Sequence, residues 1–466
     1  MDDFLRNRTF DELQPGDTAS IVHLVGRDDI ELFNAVSGDH NPAHLDAAFA
    51  KTGLFGHIVA HGMWTAALIS AVLGTRLPGP GTIYLGQDLQ FLKPVMPGDT
   101  VTATVTVKEK QPQKRIVLLD TICTNLQGEI VLKGTAKVIA PEHRIEWPRT
   151  QLPDISLRRH DRYEALVKRA RDLPPLRAAI VHPCSAAAIT GALEARDAGL
   201  LEPVLIGPEA KILAAAEAAQ VSLEGVEIIS VAHSHAAAER AVEIAVSGSV
   251  SVLVKGSLHT DELLSAVVAP GSGLRTERRI SHVYAMDIPA YGKPLIVTDA
   301  AINIQPTLEH KRDICQNAVD LLHRLGMEEP RVAVLAAVET VNPKMPSTLD
   351  AAALTVMAAR GQITGACVDG PLAFDNAISM DAARTKGIVS PVAGQADILL
   401  VPDLEAGNML AKQLIYFAGA TAAGLVLGAR VPIVLTSRAD PLSARIASAA
   451  LAKIVAAPHV AEVLRA

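Results

Sequence analysis

The sequence predicts two structured parts of different class. The first is an α+β domain in which an antiparallel sheet wraps one buried helix. The second is a larger α/β domain with a mostly parallel sheet. Three observations carry this. Between Thr82 and Ile139, four apolar runs rich in β-branched residues follow one another with turn residues between them. One apolar segment, residues 61–73, precedes them. Beyond about Tyr163, short apolar runs alternate with helical patterns to the end of the chain.

The four runs are 83–91, 101–108, 116–125 and 130–139, with turn signals at Pro97-Gly98-Asp99 and Gln127-Gly128. That spacing means an antiparallel meander. The 61–73 segment is apolar nearly all round, so it is expected to be buried on every side. A sheet curled round such a helix is the hot-dog arrangement. PEHRIEWPRTQLPDISLRRH (141–160) carries prolines and charges without an apolar period. The expected boundaries are therefore a first domain over 1–143, a linker over 144–162 and a second domain over 163–466. In the second domain, 178–182, 204–206, 251–254, 295–298, 331–335, 398–401 and 431–435 read as strands. Residues 185–198 and 209–219 read as helices. Alternating βα units give a mostly parallel sheet covered by helices.

Composition agrees with two packed domains. The chain has 466 residues, 49% hydrophobic and 20% charged, which suits sizeable cores and excludes disorder. Aromatic residues are only 3%, so aliphatic layers do the packing. A net charge of −7 gives no basic footprint for nucleic acid. Cys123, Cys184, Cys315 and Cys367 lie far apart without metal-ligand spacing, which suits reduced thiols in a cytoplasmic protein. The N-terminus, Met1-Asp2-Asp3, has no signal-peptide character. The apolar runs 57–75 and 413–429 (QLIYFAGATAAGLVLGA) are expected to be buried helices, too polar or too short for a membrane span of ~20 residues.

Within SGDHNPAHLD (37–46), Gly38-Asp39 and Asn41-Pro42 are turn dipeptides that bring Asp39 and His44 close in sequence. A plain turn with a cap explains them if they are taken alone. IVAHGM (58–63), however, puts a His-Gly pair where the buried helix begins. A helix N-terminus carries unpaired N–H groups, and Gly62 lets a ligand oxygen approach them. This is the makings of an oxyanion site. Asn41 and Pro42 would stiffen the turn so that Asp39 and His44 converge.

FNAVSGDHNPAHLDAAFA (33–50), HIVAHGMWTAALISAVLG (57–74) and GTIYLGQDLQFLKPVMPGDTV (81–101) together resemble the MaoC-like family, the (R)-specific enoyl-CoA hydratases. The resemblance implies a catalytic aspartate and histidine at Asp39 and His44, an oxyanion glycine at Gly62 and an active-site serine at Ser70. The implied reaction adds water to a trans-2-enoyl thioester. Either Asp39 or His44 could take the water proton and return one to Cα. The Gly62 N–H would stabilise the thioester oxygen by ~3–4 kcal/mol.

In the second domain, VPDLEAGNMLAKQL (401–414) follows a strand, and ligands bind beyond the carboxyl ends of parallel strands. Gly407 and Asn408 are expected to open a helix and offer N–H groups to an anion. VPIVLTSRAD (431–440) is another strand ending in a polar loop, with Ser437 and Arg438 at the same crevice. Arginine grips phosphate with two parallel bonds. These segments, with SPVAGQADILL (390–400), VDGPLAFDNAIS (368–379) and GLRTERRISHVYAMDIP (273–289), resemble the phosphate acetyl/butyryltransferases, nearer to the butyryl branch. The resemblance implies two α/β lobes with a cleft, a dimer, and exchange of CoA for phosphate on an acyl group. Ser437 and Arg438 match the family's serine-arginine pair. The acetyltransferases' aspartate seven residues after that serine is Ala444 here, and Asp440 lies closer as a substrate-binding candidate.

The expected partners are small-molecule acyl-CoA and further copies of this chain, with no membrane. CoA thioesters and phosphate serve as substrates, and no cofactor or metal is implied. A second reading makes the C-terminal domain a non-catalytic CoA-binding or oligomerising module. A third makes the first domain a thioesterase, against which the D-x-N-P-x-H turn argues. His233 and His235 lack a third metal ligand and suit helix capping. Gly271-Ser272-Gly273 lacks the third glycine of a dinucleotide fingerprint. Arg275, Arg278 and Arg279 fit CoA phosphates or an exposed basic cluster equally.

Overall fold

The computed structural model describes residues 4–152, 155, 157, 161–435 and 440–457. The chain forms two compact units, Met1–Leu157 and Arg158–Ala466.

The first unit runs β1 (Phe4–Arg6), β2 (Thr18–Leu24), α1 (Arg27–Ser37), α2 (Pro42–Leu45), α3 (Ala47–Thr52), α4 (Gly62–Thr75), β3 (Ile83–Phe91), β4 (Thr100–Gln111), β5 (Ile116–Thr124), β6 (Ile130–Ile139) and β7 (Glu146–Pro148). Its main sheet is antiparallel, in the order β2-β4-β5-β6-β3. Strict alternation sets the register. Val101, Ala103, Val105 and Val107 of β4 face inward, as do Val117, Leu119, Thr121 and Cys123 of β5. A one-residue slip would send each of these to the outer face. Trp64, Ile69, Val72 and Leu73 of α4 pack on that inner face, each aliphatic side chain contributing ~1.5–3 kcal/mol by its burial.

Two expectations need correction here. Helix α4 is not buried all round: Met63, Ala67, Ser70, Ala71 and Gly74 form an exposed stripe, because the sheet covers only one side. Residues 146–148, expected in a linker, are strand β7, paired antiparallel with β1 from the opposite end of the unit. Three residues are too few to show a period, and the partner is some 140 positions away, so local pattern could not reveal the pairing.

The second unit is built on one sheet of eleven strands. In chain order these are β8 (Leu176–Val181), β9 (Leu201–Gly207), β10 (Glu227–Ser230), β11 (Val252–Lys255), β12 (Ser281–Asp287), β13 (Leu295–Thr298), β14 (Arg331–Leu335), β15 (Cys367–Leu372), β16 (Ile398–Leu400), β17 (Thr421–Leu427) and β18 (Ile433–Val434). The spatial order is β10-β9-β8-β11-β18-β17-β12-β13-β16-β14-β15. Two parallel blocks, β10 to β18 and β13 to β15, are joined through antiparallel β17 and β12. Strands such as β8 and β17 are buried on both faces, which is why they read as unbroken apolar runs.

The run 413–429 is not one helix. The helix Leu404–Tyr416 ends at Phe417, and Gly419, at φ 66°, turns the chain into β17. A short apolar run cannot by its period distinguish a buried strand from a buried helix. Among the described residues no helix is long and apolar enough to cross a membrane.

Candidate active sites

The first site forms between the loop after α1 and the start of α4. Gly38, at φ 72°, ends α1 and reverses the chain. The Asp39 carboxylate then accepts from the Asn41 N–H at 3.0 Å, and the Asn41 side chain caps α2 by accepting from the Ala43 N–H at 3.1 Å. With Pro42 as first residue, this single turn of helix presents His44. His44 Nδ1 donates to the Val59 carbonyl at 2.7 Å, which leaves Nε2 as the acceptor. Asp39, His44 and His61 each bring one polar atom within 4.8 Å of the other two.

His61 precedes Gly62 as the N-cap of α4. Its ring stacks on that of His44, with centroids 3.8 Å apart and planes 33° apart, and Nε2 lies 2.9 Å from Asn34 Oδ1 and 3.7 Å from Asp39 Oδ2. Burial, then the neighbouring His44, push the His61 imidazole below its ordinary pKa, while Asp39 pulls the other way. Two imidazoles and a carboxylate at this spacing are also groups that can hold a metal ion.

The Gly62 N–H, first in its helix, meets no acceptor among the described residues. His44 and Gly62 share one cavity of about 450 Å³, walled by Phe55, Val59, Phe91 and Leu132. The site therefore offers an imidazole and a backbone donor on an apolar slot, with the half-exposed Asp39 carboxylate next to the imidazole outside the cavity lining. Ser70 sits two turns along α4 on the exposed stripe and does not line this cavity. His61 and Asn34 escaped the sequence reading, although the His-Gly pair was the signal for the first of them.

In the second unit, the structure corrects the expectation for Gly407 and Asn408. The helix opens at Leu404, capped by Asp403, whose carboxylate accepts from Ala406 N–H at 2.9 Å. The Gly407 N–H is already spent on Asp403 O at 3.1 Å. Glycine is required there by packing, since a Cβ would lie 2.8 Å from Asp299 O and 2.7 Å from Val401 Cγ2. Asn408 donates its side-chain amide to Ala300 O at 3.2 Å. The Gly407 N–H is therefore not free for an anion, and Asn408 lies in the second turn of the helix rather than at its start. Ser437 and Arg438 lie outside the described residues. Asp440 is near enough to Tyr284 to raise its phenol, after burial, above the usual range. Ala444 is buried in the helix Leu442–Ala456.

Near Leu435, which follows β18, lies a buried polar group that the sequence did not reveal. His282 of β12 is 1% exposed, stacks edge-on against Tyr284 at 4.4 Å, and passes Gly424 of β17. Asp299, beyond β13, accepts from the N–H groups of Ala301, Ile302 and Asn303. His233 caps its helix, accepting from Ala236 N–H at 3.1 Å, as its sequence suggested. Arg278 pairs with Asp320, and Arg279 donates to Asn303 Oδ1 at 2.8 Å.

Fold and sites together define an enzyme of two parts, a hot-dog hydratase unit and an α/β acyltransferase unit. Residues 9–124 match the model of the MaoC like domain, and residues 234–453 match that of the phosphate acetyl/butaryl transferases. The chain is 58% identical to a phosphate acetyltransferase of Rhizobium meliloti over 296 residues, 64% of this chain and 94% of that protein. It is 41% identical to a phosphate butyryltransferase of Clostridium acetobutylicum over 263 residues, 56% and 87% of the two chains. The solved structure of a branched-chain phosphotransacylase from Enterococcus faecalis is similar with a TM-score of 0.55 at 30% identity, covering 61% of this chain and all of that one. This chain therefore belongs to the phosphate acetyl/butyryl transferase family, with a MaoC-like domain fused ahead of the transferase. A probable phosphate butyryltransferase of Bacillus subtilis shares 51% identity, between the 58% of the Rhizobium meliloti acetyltransferase and the 44% of a Thermotoga maritima acetyltransferase, so identity does not separate the butyryl from the acetyl branch.

Proposed function

We propose that the first unit reversibly hydrates short-chain trans-2-enoyl-CoA to (R)-3-hydroxyacyl-CoA, and that the second exchanges CoA for phosphate on an acyl group. The observation that carries the first reading is the unpaired Gly62 N–H beside His44 on one apolar cavity, with Asp39 next to His44. In this reading His44 Nε2 and Asp39 hold one water. Its oxygen adds to Cβ, its proton passes to the pair, and the pair delivers a proton to Cα. The Gly62 N–H holds the thioester oxygen as the enolate forms. Phe55, Val59 and Leu132 wall the acyl slot, which suits a short chain. Ser70 is assigned to substrate binding by the family resemblance alone.

In the second unit, Ser437 and Arg438 are assigned to acyl transfer by their match to the family's pair. Asp440 stands nearest for the thiol proton, since Ala444 cannot serve. CoA thioesters and phosphate are the substrates, with no cofactor or metal ion in either step. A cytoplasmic homo-oligomer fits these substrates and the exposed apolar stripe of α4.

Crotonyl-CoA tests the first unit: the double-bond absorbance should fall and the product should be the (R) enantiomer. Release of free acid instead would favour a thioesterase. Acetyl-CoA and butyryl-CoA test the second: thiol release should require inorganic phosphate. Thiol release that ignores phosphate would contradict transfer.

A further inference from the structure

Resting on the hydratase reading above, we infer that His61, backed by Asn34, is a positioning residue that fixes the His44 ring and its separation from Asp39. Asn34 Oδ1 can only accept, so at 2.9 Å His61 Nε2 carries the proton and Nδ1 the lone pair. That bond pins the plane of the His61 ring, and Phe33 of α1 supports it with centroids 4.9 Å apart. The pinned ring lies against His44 at 3.8 Å between centroids, its plane tilted by 33°, and the other restraint on His44 is the Val59 carbonyl. The two together leave His44 one orientation. The Asp39 carboxylate meets the same Nε2 edge at 3.7 Å, so one imidazole touches both members of the pair.

Packing alone does not explain an imidazole here. His61 Nδ1 and Asn34 Nδ2 are both buried without a hydrogen-bond partner, an unfavourable arrangement that two apolar side chains would avoid. The titratable groups that face His61 are Asp39, from the loop after α1, and His44, from α2. Burial and His44 favour the neutral ring, and a neutral ring can lie against His44 without charge repulsion.

His61→Phe keeps an aromatic ring against His44 and removes the bond to Asn34. It should lower kcat for crotonyl-CoA at least tenfold, leave KM within threefold, and alter the pH dependence of kcat. An unchanged kcat and pH profile would overturn the inference. Should that variant fail to fold, Asn34→Ala decides, since it leaves both imidazoles in place. About a fivefold loss of kcat with KM held supports positioning, and wild-type kinetics refute it. Should the wild-type protein not hydrate crotonyl-CoA at all, the hydratase reading fails separately. Nitrogen NMR of the full chain then still reads the geometry. The Nε2–H tautomer of His61 at neutral pH, lost in Asn34→Ala, supports it, and an Nδ1–H tautomer overturns it.

Discussion

A Cβ placed on Gly62 would sit 2.8 Å from Phe91 Cε1, so the ring at the end of β3 closes directly over the first residue of α4. Phe91 is 52% exposed and can swing aside, which keeps the stability cost of Gly62→Ala small. The displaced ring and the new methyl both enter the cavity mouth. Gly62→Ala should therefore lose at least tenfold in kcat/KM for crotonyl-CoA while its melting temperature moves by only a few degrees.

Gly407→Ala should behave in the opposite way. The methyl would meet the backbone at Asp299 and Ala300 and the Val401 side chain, none of which can swing clear. Overpacking of this kind costs ~1–3 kcal/mol. A fall in the melting temperature of the second unit, with the KM for phosphate unchanged, is the expected result. An altered phosphate KM at wild-type stability would restore the anion-binding role that the hydrogen bonds argue against.

Stability should also depend on pH through His282. Burial pushes its imidazole from the ordinary 6.5 down to about 4, with Asp299 acting in the opposite sense. The unfolded chain then binds a proton that the folded one refuses, so stability is full above about 6.5 and declines as pH falls toward 4. The whole shift is worth at most ~3 kcal/mol. Melting temperatures measured across that range should fall with pH in the wild-type protein and flatten in His282→Gln.

The exposed apolar side chains of the hydratase unit include several on α4 and on the edge strand β3. Met63 on α4 and Ile83, Leu85 and Phe91 on β3 are each about half exposed, and β3 pairs on one edge only. Open edges and apolar stripes of this kind favour association. Light scattering on the full chain should give at least twice the chain mass, and a monomer at micromolar concentration would contradict the oligomer proposed above.

Much of this was legible in the chain. The two central strands of the meander, β4 and β5, alternate regularly, β3 and β6 stand out as apolar runs between turn residues, and the His-Gly pair marked the start of α4. Motif spacing brought Asp39, His44 and Gly62 together because a turn and a helix N-terminus are local features. His61 was hidden by its neighbour: the glycine accounts for the His-Gly pair by itself, so the imidazole beside it carries no separate signal. Asn34 and His282 act through contacts across elements, which no short window contains. Gly407 looked like a ligand-binding glycine because packing glycines and binding glycines share the same sequence context.

The most direct test measures both activities on one preparation of His44→Ala. Hydration of crotonyl-CoA should drop by at least a thousandfold while phosphate-dependent thiol release stays at the wild-type rate. Undiminished hydration in that variant would contradict the account, because the addition of water would then be taking place without the imidazole on which the site is built.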